Sequence, residues 1–269
     1  MKSRQPHEAA IRRLIRQKYG QGEFAGYKPW FYVRDVPSKG RSTMVHSSIT
    51  GRVHHYLSDG EEGIHLLAEF ATDTVDIREQ YALLPWEETQ EIAKRLGLIH
   101  PRIPNTGVPA VMTTDLVVFK RHELGLQIVP IAVKTASELT GEGSDRVHEK
   151  LVIEREYWRA RGLRRLLMTE DSVPKSKIHN LRFFHPGMNS RVSEQIDLAA
   201  FCEMFLQIWT PKAPLIDLLK VISSKFAVSN DVSIKALGCA IWRRELQIDF
   251  SHAVDHRRPL KLIVQDAHV

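Results

Sequence analysis

Apolar positions recur along the chain with two different periods, and the change from one to the other predicts the elements. Residues 8–19, EAAIRRLIRQKY, space Ile11, Leu14 and Ile15 as on one face of a short basic helix. Residues 20–50 are punctuated by Gly20, Gly22, Gly26, Pro29, Pro37 and Gly40 and read as ordered loop with short strands. A helix is expected from about Ser58 to Phe70. Ser58 or Asp59 can cap it, and Glu61 and Glu62 occupy its first turn, where the helix dipole favours carboxylates. Thr74–Gln80 and Tyr81–Leu84 read as extended, and residues 87–98 as a second helix closed by Gly97. Two strands follow, VMTTDLVV at 111–118 and LQIVPIAV at 126–133. The second is so continuously apolar that burial on both faces is expected. Residues 145–161 carry Val147, Leu151, Ile153, Tyr157 and Trp158 on a helix, and Leu163–Met168 is a last strand. A mixed sheet flanked by helices makes residues 1–170 an α/β domain.

The rhythm then changes. Helices are expected at Ser193–Trp209, Pro214–Phe226 and Asn230–Arg243, followed by short strands Leu246–Phe250 and Leu260–Val264 around the turn-rich HAVDHRRP. Three helices and a two-stranded hairpin give residues 171–269 a winged-helix-like α+β order. The net charge of +6 divides evenly, +3 on each side of residue 170. It suits a nucleic-acid partner without locating the contact. Cys202 and Cys239 have no zinc-site spacing and are too few for a disulfide framework, so a reducing cytoplasm is the expected compartment. The first residues lack the apolar core of a signal peptide. No run approaches the roughly 18 apolar residues of a membrane span, so no membrane partner is expected.

The chemistry-bearing residues are Glu61, Asp115, Lys134 and Glu154. Asp115 interrupts an apolar strand, where a carboxylate is costly without a partner. Lys134 ends the next strand, so neighbouring strands can set the two side by side. Carboxylates and a lysine on adjacent elements suit metal-assisted phosphodiester hydrolysis. Mg²⁺ takes oxygen ligands and keeps several waters, a bound cation lowers the pKa of its water, and a lysine stabilises charge on the phosphate. From spacing alone, a plain Asp115–Lys134 ion pair stays open beside that reading. His54 and His55 are adjacent on a strand and point to opposite faces, which argues against one ion held by both and for a structural or DNA-backbone role. Arg78 is expected to pair with a carboxylate or a phosphate. Tyr157 and Trp158 are expected in the core, and both cysteines as inert buried thiols. The basic runs RARGLRR (159–165) and DHRRPLK (255–261) are either solvated surface or contacts to DNA or a partner.

Several longer stretches, taken in order, resemble one family. GRVHHYLSDGEEGIHLL (51–67) and VDIREQYALLP (75–85), then VMTTDLVVF from Val111, IAVK ending at Lys134 and EKLVIEREYW from Glu149, are similar to TnsA. TnsA is the endonuclease subunit of the heteromeric transposase of TnsABC-type transposons. The opening Tyr27-Lys28-Pro29-Trp30, with Val36-Pro37-Ser38 and Gly40-Arg41-Ser42, also resembles it. The resemblance implies a restriction-endonuclease-like core and a C-terminal winged-helix-like domain. It implies cleavage at the 5′ ends of the element, on the non-transferred strand, in company with transposon-end DNA, a TnsB-type transposase and a TnsC-type ATPase regulator. It carries the catalytic glutamate, aspartate and lysine onto Glu61, Asp115 and Lys134, with Glu154 near the site. Mg²⁺, with Mn²⁺ as substitute, would be held by Glu61, Asp115, Glu154 and the backbone carbonyl of Ala132. Ala132 is a departure: a family member has glutamine two residues before the lysine, so a side-chain ligand is missing here. Glu62 is a rival to Glu61, and Gly60 and Gly63 suggest a looser helix start. An independent site-specific or structure-selective nuclease of the same fold, or a non-catalytic DNA-binding bridging subunit, are the alternatives.

Overall fold

The computed structural model describes residues 8–35, 41–188 and 190–263. Val36–Pro37–Ser38 and Gly40 of the opening motif, and Val264 of the last expected strand, lie outside them. The chain divides into two compact units after Ser172.

In the first unit, helix α1 (Glu8–Arg16) is a packing element. Ile11 is fully buried and joins Trp30, Ala82, Trp86 and Val111 in one apolar cluster. Strands β1 (Thr43–Ser47) and β2 (Arg52–Tyr56) form a two-stranded antiparallel hairpin. The main sheet has the order β3 (Thr74–Ala82), β4 (Thr113–His122), β5 (Gly125–Val133) and β6 (Leu166–Met168). The first three strands run antiparallel and β6 joins β5 in parallel, so the sheet is mixed. Helix α2 (Asp59–Phe70) packs on β3 and β4. Helices α3 (Trp86–Leu96) and α5 (Ser144–Arg159), with the short α4 (Ala136–Thr140) before it, complete the flanking layer. A core of Leu83, Ile92, Val117, Phe119, Ile153, Tyr157 and Trp158 joins α3 and α5 to the sheet. This mixed sheet flanked by helices fits a restriction-endonuclease-like core.

Strand β5 departs from the expected two-sided burial. Only Pro130–Ala132 are buried, and Leu126 is 58% exposed. The tip of the tight β4–β5 hairpin is exposed, and only the end of β5 next to Lys134 is buried.

Among its described residues the second unit holds four α-helices rather than three: α6 (Lys175–Met188), α7 (Leu198–Ile208), α8 (Leu215–Phe226) and α9 (Asn230–Trp242). Helix α7 starts at Leu198 instead of near Ser193, and Asp197 caps it, its carboxylate accepting from the N–H groups of Ala199 and Ala200. Helix α6 was not expected. It meets α9 backbone to backbone: a Cβ on Gly187 would sit 2.4 Å from the Lys235 carbonyl, and one on Gly238 2.6 Å from that of Phe184. The expected hairpin reduces to one antiparallel bridge, Ile248 with Leu262, flanked by hydrogen bonds from the N–H groups of Asp249 and Ile263. Cys202 and Cys239 are buried free thiols; burial first, then Glu245, pushes the Cys202 thiol up to about 12. Among the described residues no helix is long and apolar enough to cross a membrane.

Candidate active site

Four elements converge on one cleft of the first unit. Helix α2 delivers Glu61 from its first turn. Ser58 caps the helix by accepting the Glu61 N–H (3.2 Å). The Glu61 carboxylate turns back onto the same turn: Oε2 accepts from the Leu57 N–H (3.0 Å) and Oε1 from the Ser58 hydroxyl (3.2 Å). The glutamate sits in the N3 position, but it reaches past the cap to the Leu57 N–H instead of closing a capping box on the Ser58 N–H. Gly60 sets the height of that turn, because a Cβ there would lie 3.0 Å from Cγ1 of Val133. The glycine expected to loosen the helix start instead seats it against the end of β5.

Strand β4 supplies Asp115, and Lys134 follows directly on the end of β5. The Lys134 ammonium donates to Asp115 Oδ2 (3.0 Å) and to the Val133 carbonyl (2.7 Å), while the Val133 N–H donates to the same Oδ2 (2.7 Å). The last main-chain N–H of β5 and the side chain of the residue after it thus both clamp one oxygen of the aspartate. The Lys134 N–H bonds the Met168 carbonyl across the parallel edge, which fixes the strand end. Helix α5 brings Glu154, 5% exposed, whose Oε1 accepts from the Thr114 hydroxyl (2.7 Å). That hydroxyl in turn accepts from the Trp158 indole (2.8 Å).

The electrostatics follow from this crowding. Burial first, and then the charge of Asp115, pushes Glu61 and Glu154 each up to about 7. Burial works against the Lys134 charge, but Asp115 outweighs it and the lysine stays raised and protonated. Three carboxyl groups and one ammonium therefore share a site in which the carboxylates repel one another. The open part of the cleft, about 360 Å³, is lined by Asp115, Lys134, Glu138, Lys150 and Glu154. Lys150 lies one turn before Glu154 on α5 and is exposed, and no carboxylate among the described residues pairs with it. Burial, then Arg146 and Lys134, lowers its pKa.

The sequence candidates therefore meet: Glu61, Asp115, Lys134 and Glu154 come together, with Ala132 buried beside them at the end of β5 and offering no side-chain oxygen. Glu62 is also buried, in the same turn as Glu61. The histidines do not join the cleft. His54 is fully buried between Thr50 (2.7 Å) and Glu79 (2.8 Å), and burial holds its pKa down at about 4. Glu79 also accepts from both terminal nitrogens of the Arg52 guanidinium (2.8 and 2.6 Å). Arg78 pairs with Asp76 (2.7 Å) and stacks on Phe119. Much of the basic run 159–165 is occupied, with Arg159 on Glu156 and Arg161 on Glu88. Two residues escaped the sequence reading. Lys150 had a signal, its four-residue spacing from Glu154. Gln80, whose amide donates to Glu61 Oε2 (3.2 Å), had none.

Residues 71–170 match the family model described as TnsA-like endonuclease N terminal. The chain is also 38% identical over 189 residues to the Transposon Tn7 transposition protein TnsA of Escherichia coli, an alignment covering 70% of this chain and 67% of that protein.

Proposed function

This chain belongs to the TnsA family of transposition endonucleases, and we propose that it is a divalent-metal-dependent nuclease cutting the non-transferred strand at the 5′ ends of its element. The observation that carries the reading is the convergence of Glu61, Asp115 and Glu154 on Lys134. The donor set fits a hard cation: only carboxylate oxygens converge, two of the carboxyls have raised pKa values, and Asp115 Oδ1 takes no hydrogen bond among the described residues. Asp115 and Glu61 would hold the ion, with Glu154 and the Ala132 carbonyl completing its protein ligands. When bound, Mg²⁺ or Mn²⁺ supplies a Lewis acid at the phosphate and a water of lowered pKa.

The chain's own residues do the rest. Lys134 holds a compact positive charge beside the phosphate, and Asp115 keeps that lysine protonated and fixed. Lys150, which also lines the cleft and has no acidic partner among the described residues, takes a neighbouring backbone phosphate. Asp115, Lys134 and Glu154 fall within residues 71–170; Glu61 precedes them and rests on the geometry and the motif. The second unit, residues 173–269, serves as a winged-helix-like module that binds transposase partners, a TnsB-type transposase or a TnsC-type ATPase.

Calorimetric titration of the full chain with Mn²⁺ tests the site. We expect binding by the wild type and its loss in a Glu61→Ala/Asp115→Ala double variant; unchanged binding would remove the proposed ligand set.

A further inference from the structure

Gln80 has an unusual conformation for its place. It lies inside β3, yet its φ is +45°, a left-handed value that side-chain-bearing residues rarely adopt. The inversion is not the extra residue of a bulge, because the pairing stays in step on both sides, Glu79 with Leu116 and Tyr81 with Thr114. Counting between those pairs sets Gln80 opposite Asp115. Its carbonyl accepts from the Trp30 N–H (3.1 Å). Its side chain is 3% exposed and bridges two elements of the cleft: Nε2 donates to Glu61 Oε2 and Oε1 accepts from the Thr113 hydroxyl (3.4 Å). Strained backbone of this kind clusters at functional sites.

The hydrogen bonds divide the Glu61 carboxylate unequally. Each oxygen has two lone pairs. Oε2 spends both, on the Leu57 N–H and the Gln80 amide, whereas Oε1 spends one, on Ser58. Asp115 shows the same asymmetry, with Oδ2 taking two donors and Oδ1 none among the described residues. An amide is the right donor for this task. It occupies an oxygen without bringing a positive charge that would repel a cation, as lysine or arginine would.

Resting on the reading of the cleft as a divalent-ion site, we infer that Gln80 is a positioning residue that confines Glu61 to one-oxygen ligation through Oε1 and so favours Mg²⁺ and Mn²⁺ over Ca²⁺. Mg²⁺ demands a small, near-octahedral shell, whereas Ca²⁺ accepts two-oxygen carboxylates in a looser, larger one. Freeing Oε2 removes a barrier to the larger ion.

The test is calorimetric titration of the full metal-free chain with Mg²⁺, Mn²⁺ and Ca²⁺ separately, for the wild type, Gln80→Met and Gln80→Gly. Met keeps the volume and removes the amide. Gly removes the amide and tolerates the φ, so it reports on the hydrogen bond free of backbone strain. We expect the ratio of Mg²⁺ to Ca²⁺ affinity to fall at least fivefold in both variants, with Mn²⁺ following Mg²⁺. An unchanged ratio in the Gly variant overturns the inference, provided Glu61→Ala still weakens binding in the same titrations. If Glu61→Ala leaves binding intact, the cation reading itself is wrong and this inference falls with it.

Discussion

Glu154→Gln isolates what a buried carboxylate does to this fold. Burial and Asp115 raise the Glu154 pKa from 4.5 to about 7. A carboxyl group raised in the folded state contributes stability that is complete below its unfolded value, about 4.5, and lost once pH has risen past about 7. A rise from 4.5 to about 7 corresponds to about 3 kcal/mol. Glutamine stays neutral throughout and can still accept the Thr114 hydroxyl, but its buried NH₂ needs an acceptor, a pH-independent cost of about 1–3 kcal/mol. The variant should therefore match or fall below the wild type at pH 5 and gain on it by about 3 kcal/mol between pH 5 and 8.5. In a unit of this size that is a relative gain in Tm of about 6–12 °C. The assay is thermal unfolding of both proteins across that range with a chelator present. A Tm difference that stays flat with pH would refute the reasoning, because it would mean that Glu154 is not charged at a cost in the folded state. Added Mn²⁺ should then stabilise the wild type more than the variant, since binding to the native state raises Tm by mass action.

Three further outcomes follow from the same geometry. Gly60→Ala places a methyl 3.0 Å from Val133 Cγ1; despite a helix propensity gain of about 1 kcal/mol, it should weaken Mn²⁺ binding several-fold in calorimetry, and Val133→Ala in the same chain should restore it. Glu79→Gln strands the buried Arg52 charge and should cost about 3–5 kcal/mol in denaturant unfolding, whereas adding Arg52→Met should recover much of the loss; equal stability of single and double variants would contradict this. A separately expressed 173–269 unit should capture a TnsC-type partner in pull-down and bind element-end DNA weakly at physiological salt, because α9 and the residue after it offer few base-reading groups besides Lys235 and Arg243.

Part of the cleft was legible in local signals, and the family resemblance joined them into one site. Asp115 interrupts an apolar strand, Lys134 ends one, and Ser58 with Glu61 writes a helix start. Periodicity could not show the residues whose role is set by distant neighbours. The strand that carries Arg52 and His54 could be read, but not their common partner, because both turn inward to Glu79, 25 or more positions away. Helix α6 spaces Ile178, Leu181 and Phe184 well enough, but Pro186 and Gly187 read as breakers. Gly187 is there because α9 approaches too closely for any side chain. Gln80 is invisible in sequence because its part depends on a backbone inversion that no composition rule announces.

The central claim, that Asp115 and Lys134 perform strand cleavage rather than hold the fold or the assembly, is tested most directly by strand-resolved cleavage at both element ends. The assay uses TnsB-type and TnsC-type partners, with Asp115→Ala and Lys134→Ala compared to wild type. Loss of one electrostatic contact at the reacting phosphate costs roughly 10²–10³ in rate. Each variant should lose 5′-strand cutting by at least that factor while 3′-strand cutting and partner pull-down persist. Normal 5′ cleavage by either variant would contradict the account for that residue, and loss of both cuts together with partner binding would show that the residue serves structure instead.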